Sequence, residues 1–223
     1  MNDAAIITLA AVAIGWFLNE LSGTFRIARE EKQLLKAAIP VLIQLYFEQY
    51  RINEILSFLA QKMGDDFENL HKAVESTSEE RESVGHFLKE YLVKHEEMRK
   101  INVALPKHNR ESIIDGINQA TIELSRVDPV SAYNAKKFLS EFILFQESEL
   151  PVTNESFEYY LKHWEMMLLV FQKDLSALRE LILDIAKKSG LVEYFRVRRL
   201  IADEEGDVRG GMKKAYRHMD ENT

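Results

Sequence analysis

Two histidines each stand one helical turn from a glutamate, which is the spacing that metal sites in helical proteins use. Glu68 precedes His71 by three residues and His86 precedes Glu90 by four, so each pair would share one face of a helix. A carboxylate-bridged dimetal bundle needs two Glu-x-x-His pairs, and the sequence contains one. Because both pairs lie in strongly charged segments, we expect them on a solvated surface, with a helical metal-binding enzyme as an alternative function.

The other candidate reactive groups are isolated in the sequence. His163 lies beside Trp164 on an apolar stretch, where a lone histidine is more often structural than catalytic. No serine stands in a nucleophile elbow, no glycine-rich loop could hold a phosphate, and the absence of cysteine excludes disulfides and thiolate chemistry. We therefore predict a protein that is not an enzyme, with no catalytic, metal-binding or cofactor-binding residues and no cofactor.

The composition favours an all-α protein. Only nine glycines and four prolines occur among 223 residues, and β-branched runs are scarce beside Leu, Glu, Lys and Ala. Apolar residues make up 46% of the chain and charged residues 29%, which is enough for a folded core. The net charge of −7 opposes contact with phosphates, so we expect no nucleic-acid partner, and a small-molecule substrate is left open.

The clearest helical pattern runs from about residue 153 to residue 188, where apolar residues alternate steps of four and three. Three neighbours, Tyr160, Met167 and Leu181, widen this stripe, which favours a helix buried in a bundle over a bare two-stranded coil. Gly190 should end the helix. The heptad positions are Phe157, Leu161, Trp164, Leu168, Phe171, Leu175, Leu178, Ile182 and Ile185.

Further helices are marked by their ends and by their apolar content. Asp128 followed by Pro129 is a strong start signal, because an aspartate caps the first turn and proline fits its first position. A helix over residues 34–63 should kink or restart at Pro40 and end at Gly64. Within it, residues 37–47 are nearly all apolar but too few to span a bilayer, so we predict a buried core helix.

The first 25 residues predict a single transmembrane helix. Residues 4–25 would form a helix of about 33 Å, against a hydrocarbon core of about 30 Å. The cations Arg26, Arg29, Lys32 and Lys36 follow the segment, and no basic side chain precedes it. By the positive-inside rule, we predict a single-pass protein of the cell membrane with its amino terminus outside and its remainder in the cytoplasm. A cleaved secretory signal and a soluble helix are the alternatives.

Two sets of residues are candidate interaction sites. One face of the first helix is small or weakly polar, which would let a second helix approach closely; its residues are Thr8, Ala11, Gly15, Asn19 and Ser22. Near the carboxyl end, Arg196, Arg198 and Arg199 alternate with apolar residues and could contact an anionic membrane surface or a partner. The alternative is a final helix that packs its apolar side and solvates its arginines.

These patterns divide the chain into a transmembrane anchor (1–25), a cytoplasmic helical bundle (26–202) and a loosely ordered charged tail (203–223). The leading interpretation is a membrane-anchored scaffold or regulatory protein that acts through contacts with a protein partner or with copies of itself. An oligomerising effector that permeabilises membranes, with residues 37–47 as the inserting segment, is an alternative.

Overall fold

The structure, a computed structural model, consists of helices throughout the residues that it describes. Its backbone covers residues 3–74, 90–94, 96–97, 100, 107–147 and 157–220, and its side chains cover residues 12–66, 90–94, 96–97, 100, 109–147, 162 and 164–211. The helices with defined bounds are α1 (Asp3–Val74), α2 (Lys107–Leu124), α3 (Pro129–Glu147), α4 (Phe157–Ser189) and α5 (Leu191–Asp220). The described residues contain no strand, so the all-α prediction is confirmed.

Helix α1 is continuous over 72 residues and is the axis of the bundle. The kink or restart predicted at Pro40 and the end predicted at Gly64 are both absent. Pro40 lies on the exposed side, where water can bind the carbonyl that loses its partner. A helical glycine costs only about 1 kcal/mol relative to alanine, and Met63 beside it is fully buried, so packing carries the helix past Gly64.

Three contacts give the directions of the helices that pack on α1. The Trp164 indole N–H lies 3.4 Å from the Leu56 carbonyl, whereas Lys36 lies 4.0 Å from Glu193, just after α4 ends. Helix α4 therefore runs antiparallel to α1. Helix α5 returns parallel to α1, because Arg209 near its other end lies 3.6 Å from Glu54.

The core confirms a bundle around one long heptad-patterned helix. Trp164, Phe171, Leu175, Leu178, Ile182 and Ile185 of α4 are buried, and Leu168 is partly buried against the core. The widening residues Met167 and Leu181 also pack there, whereas the side chains of Phe157, Tyr160 and Leu161 lie outside the described residues.

Helix α1 buries a matching stripe at alternate steps of four and three. This stripe, called the core stripe below, comprises Leu35, Ile39, Leu42, Tyr46, Gln49, Asn53 and Leu56. The segment 37–47 supplies several of its residues, so the prediction of a buried core helix there is confirmed.

Both predicted helix ends near residues 128 and 190 are confirmed. Asp128 accepts hydrogen bonds from the Ser131 amide at 3.1 Å and from the Ser131 hydroxyl at 2.7 Å, and α3 begins at Pro129. Gly190 separates α4 from α5 with φ of +146°, in the region that favours glycine because other residues carry a Cβ.

The predicted membrane location is contradicted. Across the described residues, no helix holds an apolar stretch long enough to cross a bilayer. In the sequence the uncharged run covers only residues 4–19 before Glu20, and Arg26 follows within two turns. These sixteen residues span about 24 Å of helix, short of the roughly 30 Å that a crossing requires. The single-pass cell-membrane prediction and its transmembrane anchor over residues 1–25 are therefore wrong; the side chains of residues 1–11 lie outside the described part.

The segment from residue 203 onward also differs from the loosely ordered tail that its charge predicts. Helix α5 continues through it to Asp220. Glu205 accepts a 2.5 Å hydrogen bond from the Tyr46 hydroxyl, and Val208 packs against the core. These contacts with the rest of the bundle stabilise a helical segment that its high charge alone would not favour.

Candidate interaction surfaces

Helix α1 extends beyond the bundle as a projecting segment. Residues 12–33, called the arm below, precede the first buried residue, Leu35, and every one of them except Gly23 is exposed. At 1.5 Å per residue the arm is about 33 Å long. The bundle helices α4 and α5 meet at Gly190, close to Lys36, so they offer no neighbour to the arm.

The arm is unusually apolar for an exposed helix. Its large hydrophobic side chains are 37–73% exposed: Val12, Ile14, Trp16, Phe17, Leu18, Leu21, Phe25 and Ile27. A helix that carries apolar side chains around most of its circumference is usually covered by protein or lipid. The arm is therefore an extended apolar surface that the described residues leave uncovered.

One face of the arm continues the core stripe without a break in register. Counted back from Leu35 by alternate steps of three and four, the positions are Lys32 and then five apolar residues. These five, called the arm seam below, are Ile14, Leu18, Leu21, Phe25 and Ala28. The same helix face is thus buried by neighbours in the bundle and left open in the arm.

The small-residue face predicted for association flanks one edge of the arm seam, because residues 15 and 22 directly follow the seam positions 14 and 21. Gly15, Asn19 and Ser22 are exposed, and a Cβ placed on Gly15 would meet no atom within 4 Å. Thr8 and Ala11 lie outside the described side chains. The described part of this face is therefore left exposed by the described residues, and its role in association stays a prediction.

The three arginines near residue 198 lie on the exposed side of α5. Arg196, Arg198 and Arg199 are exposed, whereas Val197 and Ile201 on the same helix are buried against the core. Arg199 is 3.6 Å from Asp203, with both side chains mostly in solvent. This arrangement fits the alternative in which α5 packs its apolar side, and a membrane or partner contact by the arginines stays a prediction.

A second uncovered surface is a groove of about 390 Å³ between α3 and α4, with Gln49 of α1 among its lining residues. This surface is called the groove below. Its apolar lining is dominated by Phe138, Phe142, Phe145, Phe171, Met166 and Met167. The rings of Phe145 and Phe171 lie 4.6 Å apart between centroids. Its charged lining residues are Glu141 and Asp174, and none of the described lining residues is basic.

Two hydrogen-bond acceptors of the groove have no partner. Gln49 is 3% exposed, and its Oε1 receives no hydrogen bond. Glu141 Oε2 is likewise buried without a donor, although Lys137 lies 3.5 Å from the other oxygen. An unsatisfied buried polar atom costs about 1–3 kcal/mol. The sequence signal for this feature is a glutamine at a heptad position whose neighbours in the core stripe are largely apolar.

Polar contacts join the helices at two places, one at the middle of α5 and one at the end of α4. Burial and the hydrogen bond to Glu205 raise the pKa of Tyr46, and Arg179 lies 3.3 Å from the same carboxylate. Burial alone would raise the pKa of Asp128, but hydrogen bonds from Lys188 and Ser131 outweigh it and hold that pKa below its usual value. These contacts position helices and show no arrangement suited to catalysis.

The candidate metal-binding residues fall mostly outside the described part. The side chains of Glu68, His71, His86 and His163 are not described, and Glu90 is exposed. Among the side chains that are described, no three His, Asp or Glu residues come together as a metal-binding group. The two Glu–His pairs therefore stay predictions, as does the metal-binding enzyme that would use them.

No protein-family model matches this chain, and neither curated proteins nor solved structures provide a match. Functional inference therefore depends on the arm, the groove and the contacts of the bundle.

Proposed function

We propose that this chain is a non-enzymatic interaction protein, of the scaffold or regulatory kind, that associates with a second copy of itself through the arm. The observation that supports this most directly is the arm seam. It repeats the spacing that α1 buries in the bundle, yet its residues face water.

The arm lacks the packing that stabilises most helices in proteins. Helices in water gain most of their stability from packing an apolar face, because hydrogen bonds and propensity alone barely offset chain entropy. Burial of apolar surface contributes about 25 cal/mol per Å². Ile14, Leu18 and Leu21 are each more than a third exposed. A second helix laid along the arm seam would bury all three, and the chain itself supplies such a helix.

The charges beside the arm seam favour a parallel, in-register pair. Glu31 lies on one edge of the seam, and Arg29 and Lys36 lie on the other. In a parallel coiled coil, each residue of the first edge meets the residue five positions later on the partner helix, which pairs Glu31 with Lys36 of the second copy. An antiparallel pair would instead bring the two basic edges together. The Lys36 side chain is 52% exposed despite its contact with Glu193, so it is accessible for this pairing.

Pairing of the arms would close a two-fold dimer and hold two bundles side by side. Each exposed feature of the bundle would then be present twice, at a separation fixed by the arms. A partner that contacts both copies gains effective concentration without any catalytic group. This is the physical basis on which a helical scaffold acts.

Sedimentation velocity of the full chain over a range of concentrations tests the proposal. We expect a dimer for the native chain and a monomer for Leu21→Glu, which places a charge in the arm seam. Ile27→Glu is the matched control, because it replaces another exposed apolar residue of the arm on the face away from the seam, and it should leave the dimer intact. Circular dichroism should show equal helix content in the bundle of both variants.

Two results would overturn the proposal. One is a native chain that stays monomeric at every concentration, and the other is a Leu21→Glu variant that dimerises as well as the native chain. Asn19→Leu separates the two faces of the arm: it should leave the seam-mediated dimer unchanged, whereas loss of the dimer would assign association to the small-residue face instead.

A further inference from the structure

We propose that the groove between α3 and α4 binds a small organic ammonium ion, a protonated primary amine carried on an apolar body. This site is separate from the arm and does not depend on self-association. Its lining, its charge and its unpartnered oxygens each restrict the ligand in a different way.

The unpartnered oxygens require a ligand with N–H donors. Gln49 Oε1 and Glu141 Oε2 line the same groove, both are buried, and neither receives a hydrogen bond from the protein. A carboxamide oxygen and a carboxylate oxygen can only accept. An ammonium group has three donors and no acceptor, so it could satisfy both atoms at once.

The charge of the groove favours a cation over a neutral or anionic ligand. Glu141 and Asp174 are the charged groups of the described lining. Lys137 Nζ lies 3.5 Å from Glu141 Oε1, which leaves Glu141 Oε2 as the oxygen without a donor. The aromatic lining adds to this preference, because a ring face attracts a cation through its quadrupole.

The size and composition of the groove suit an apolar body behind the ammonium group. A volume of about 390 Å³ lies in the range of roughly 300–1,000 Å³ that small-molecule sites occupy. Phe145 and Phe171 give flat apolar walls. Met166 and Met167 at the rim are flexible side chains that adapt to ligands of different shape.

Isothermal titration calorimetry of the full chain with three related probes tests the ligand class. The probes are 4-phenylbutylammonium, its N,N,N-trimethyl analogue and 4-phenylbutanoate. We expect the primary ammonium to bind, the trimethyl compound to bind roughly tenfold more weakly because it has no N–H donor, and the carboxylate not to bind. Absence of binding by the primary ammonium overturns the proposal, as does equal affinity for the ammonium and the carboxylate.

Three variants test the site. Gln49→Met keeps an unbranched side chain of similar size but removes the acceptor, so the affinity for 4-phenylbutylammonium should fall roughly tenfold. The midpoint of thermal unfolding should stay the same or rise, because an unsatisfied buried atom is removed. If Gln49 had only a structural role, its replacement would not lower the affinity while leaving the unfolding midpoint unchanged or higher.

Asp174→Asn provides a second route should Gln49→Met fail to fold, since Asp174 is only partly buried. It should weaken binding of the primary ammonium by a similar factor. Glu180→Gln removes an exposed carboxylate from the same helix outside the groove and should leave the affinity unchanged. If Asp174→Asn binds as tightly as the native chain, or if Glu180→Gln weakens binding as much as Asp174→Asn does, the site is not where we place it.

Discussion

The arm and the bundle segment of α1 belong to one helix and carry the same spacing of apolar residues, yet their surroundings are opposite. From Leu35 onward the core stripe is buried under α4 and α5, whereas the arm seam faces water along about 22 Å. This difference shows that a heptad pattern indicates only that a helix needs a partner. Whether the same chain supplies that partner depends on where the other helices end.

The largest expected contrast comes from the two tryptophans, since Trp164 is buried in the bundle and Trp16 is exposed on the arm. Trp164→Ala should lower the free energy of unfolding by about 3–5 kcal/mol, because it opens a cavity beside Leu56. Trp16→Ala should change it by less than about 0.5 kcal/mol. Urea unfolding at a concentration that keeps the chain monomeric measures both. Similar losses for the two variants would mean that the arm is packed.

A smaller effect is expected where α4 ends and α5 begins, the point at which the bundle stops covering α1. Gly190→Ala should destabilise the chain by roughly 1–2 kcal/mol, because φ of +146° disfavours any residue with a Cβ. Gly210→Ala is the matched control: it lies within α5 with no atom within 4 Å of a new Cβ, so alanine should be neutral or stabilising there. Thermal unfolding distinguishes the two, and stabilisation by Gly190→Ala would contradict the described turn.

The next effect concerns the α3 cap at the same end of the bundle. Asp128→Ala should cost about 1 kcal/mol at neutral pH, since it removes the acceptor for Ser131 and Lys188. The control is Asp203→Ala, which removes an exposed ion pair and should cost little. Urea unfolding of both variants gives the comparison.

The cap also predicts a dependence on pH. Because the folded-state pKa of Asp128 is held below its usual value of 3.8, its stabilisation is complete above pH 3.8 and is lost as the pH falls through the lower folded-state value. The stability difference between the native chain and Asp128→Ala should therefore be constant near neutral pH and shrink in strong acid. A difference that shrinks between pH 8 and pH 5 would contradict this assignment.

The sequence predicts the parts of the fold whose signals are local. The heptad of α4, the cap at Asp128 and the glycine at residue 190 each report a helix or its end through a few neighbouring residues, and all are observed. The continuity of α1 past Pro40 and Gly64 was not predictable in this way, because tertiary packing outweighs the local preference of both residues. The helix beyond residue 203 depends likewise on distant partners such as Tyr46.

The two candidate surfaces also differ in how much of each the sequence predicts. The apolar residues of the arm are evident in the sequence, but their exposure is known only once α4 is seen to end, and α5 to begin, near Lys36. The groove has no contiguous signal at all. Gln49, Glu141 and Asp174 come from three helices, and only the packing of those helices brings them to one cavity.

Because the chain contains no cysteine, one introduced thiol tests most directly whether the arm seam is covered by a second copy in parallel. In a parallel in-register pair, residue 14 of one arm lies opposite residue 14 of the other, within reach of a disulfide. Under mild oxidation at micromolar concentration, Ile14→Cys should form a covalent dimer on a non-reducing gel, whereas Ile27→Cys on the face away from the seam should not. Failure of Ile14→Cys to cross-link, or equal cross-linking of both variants, would contradict the account.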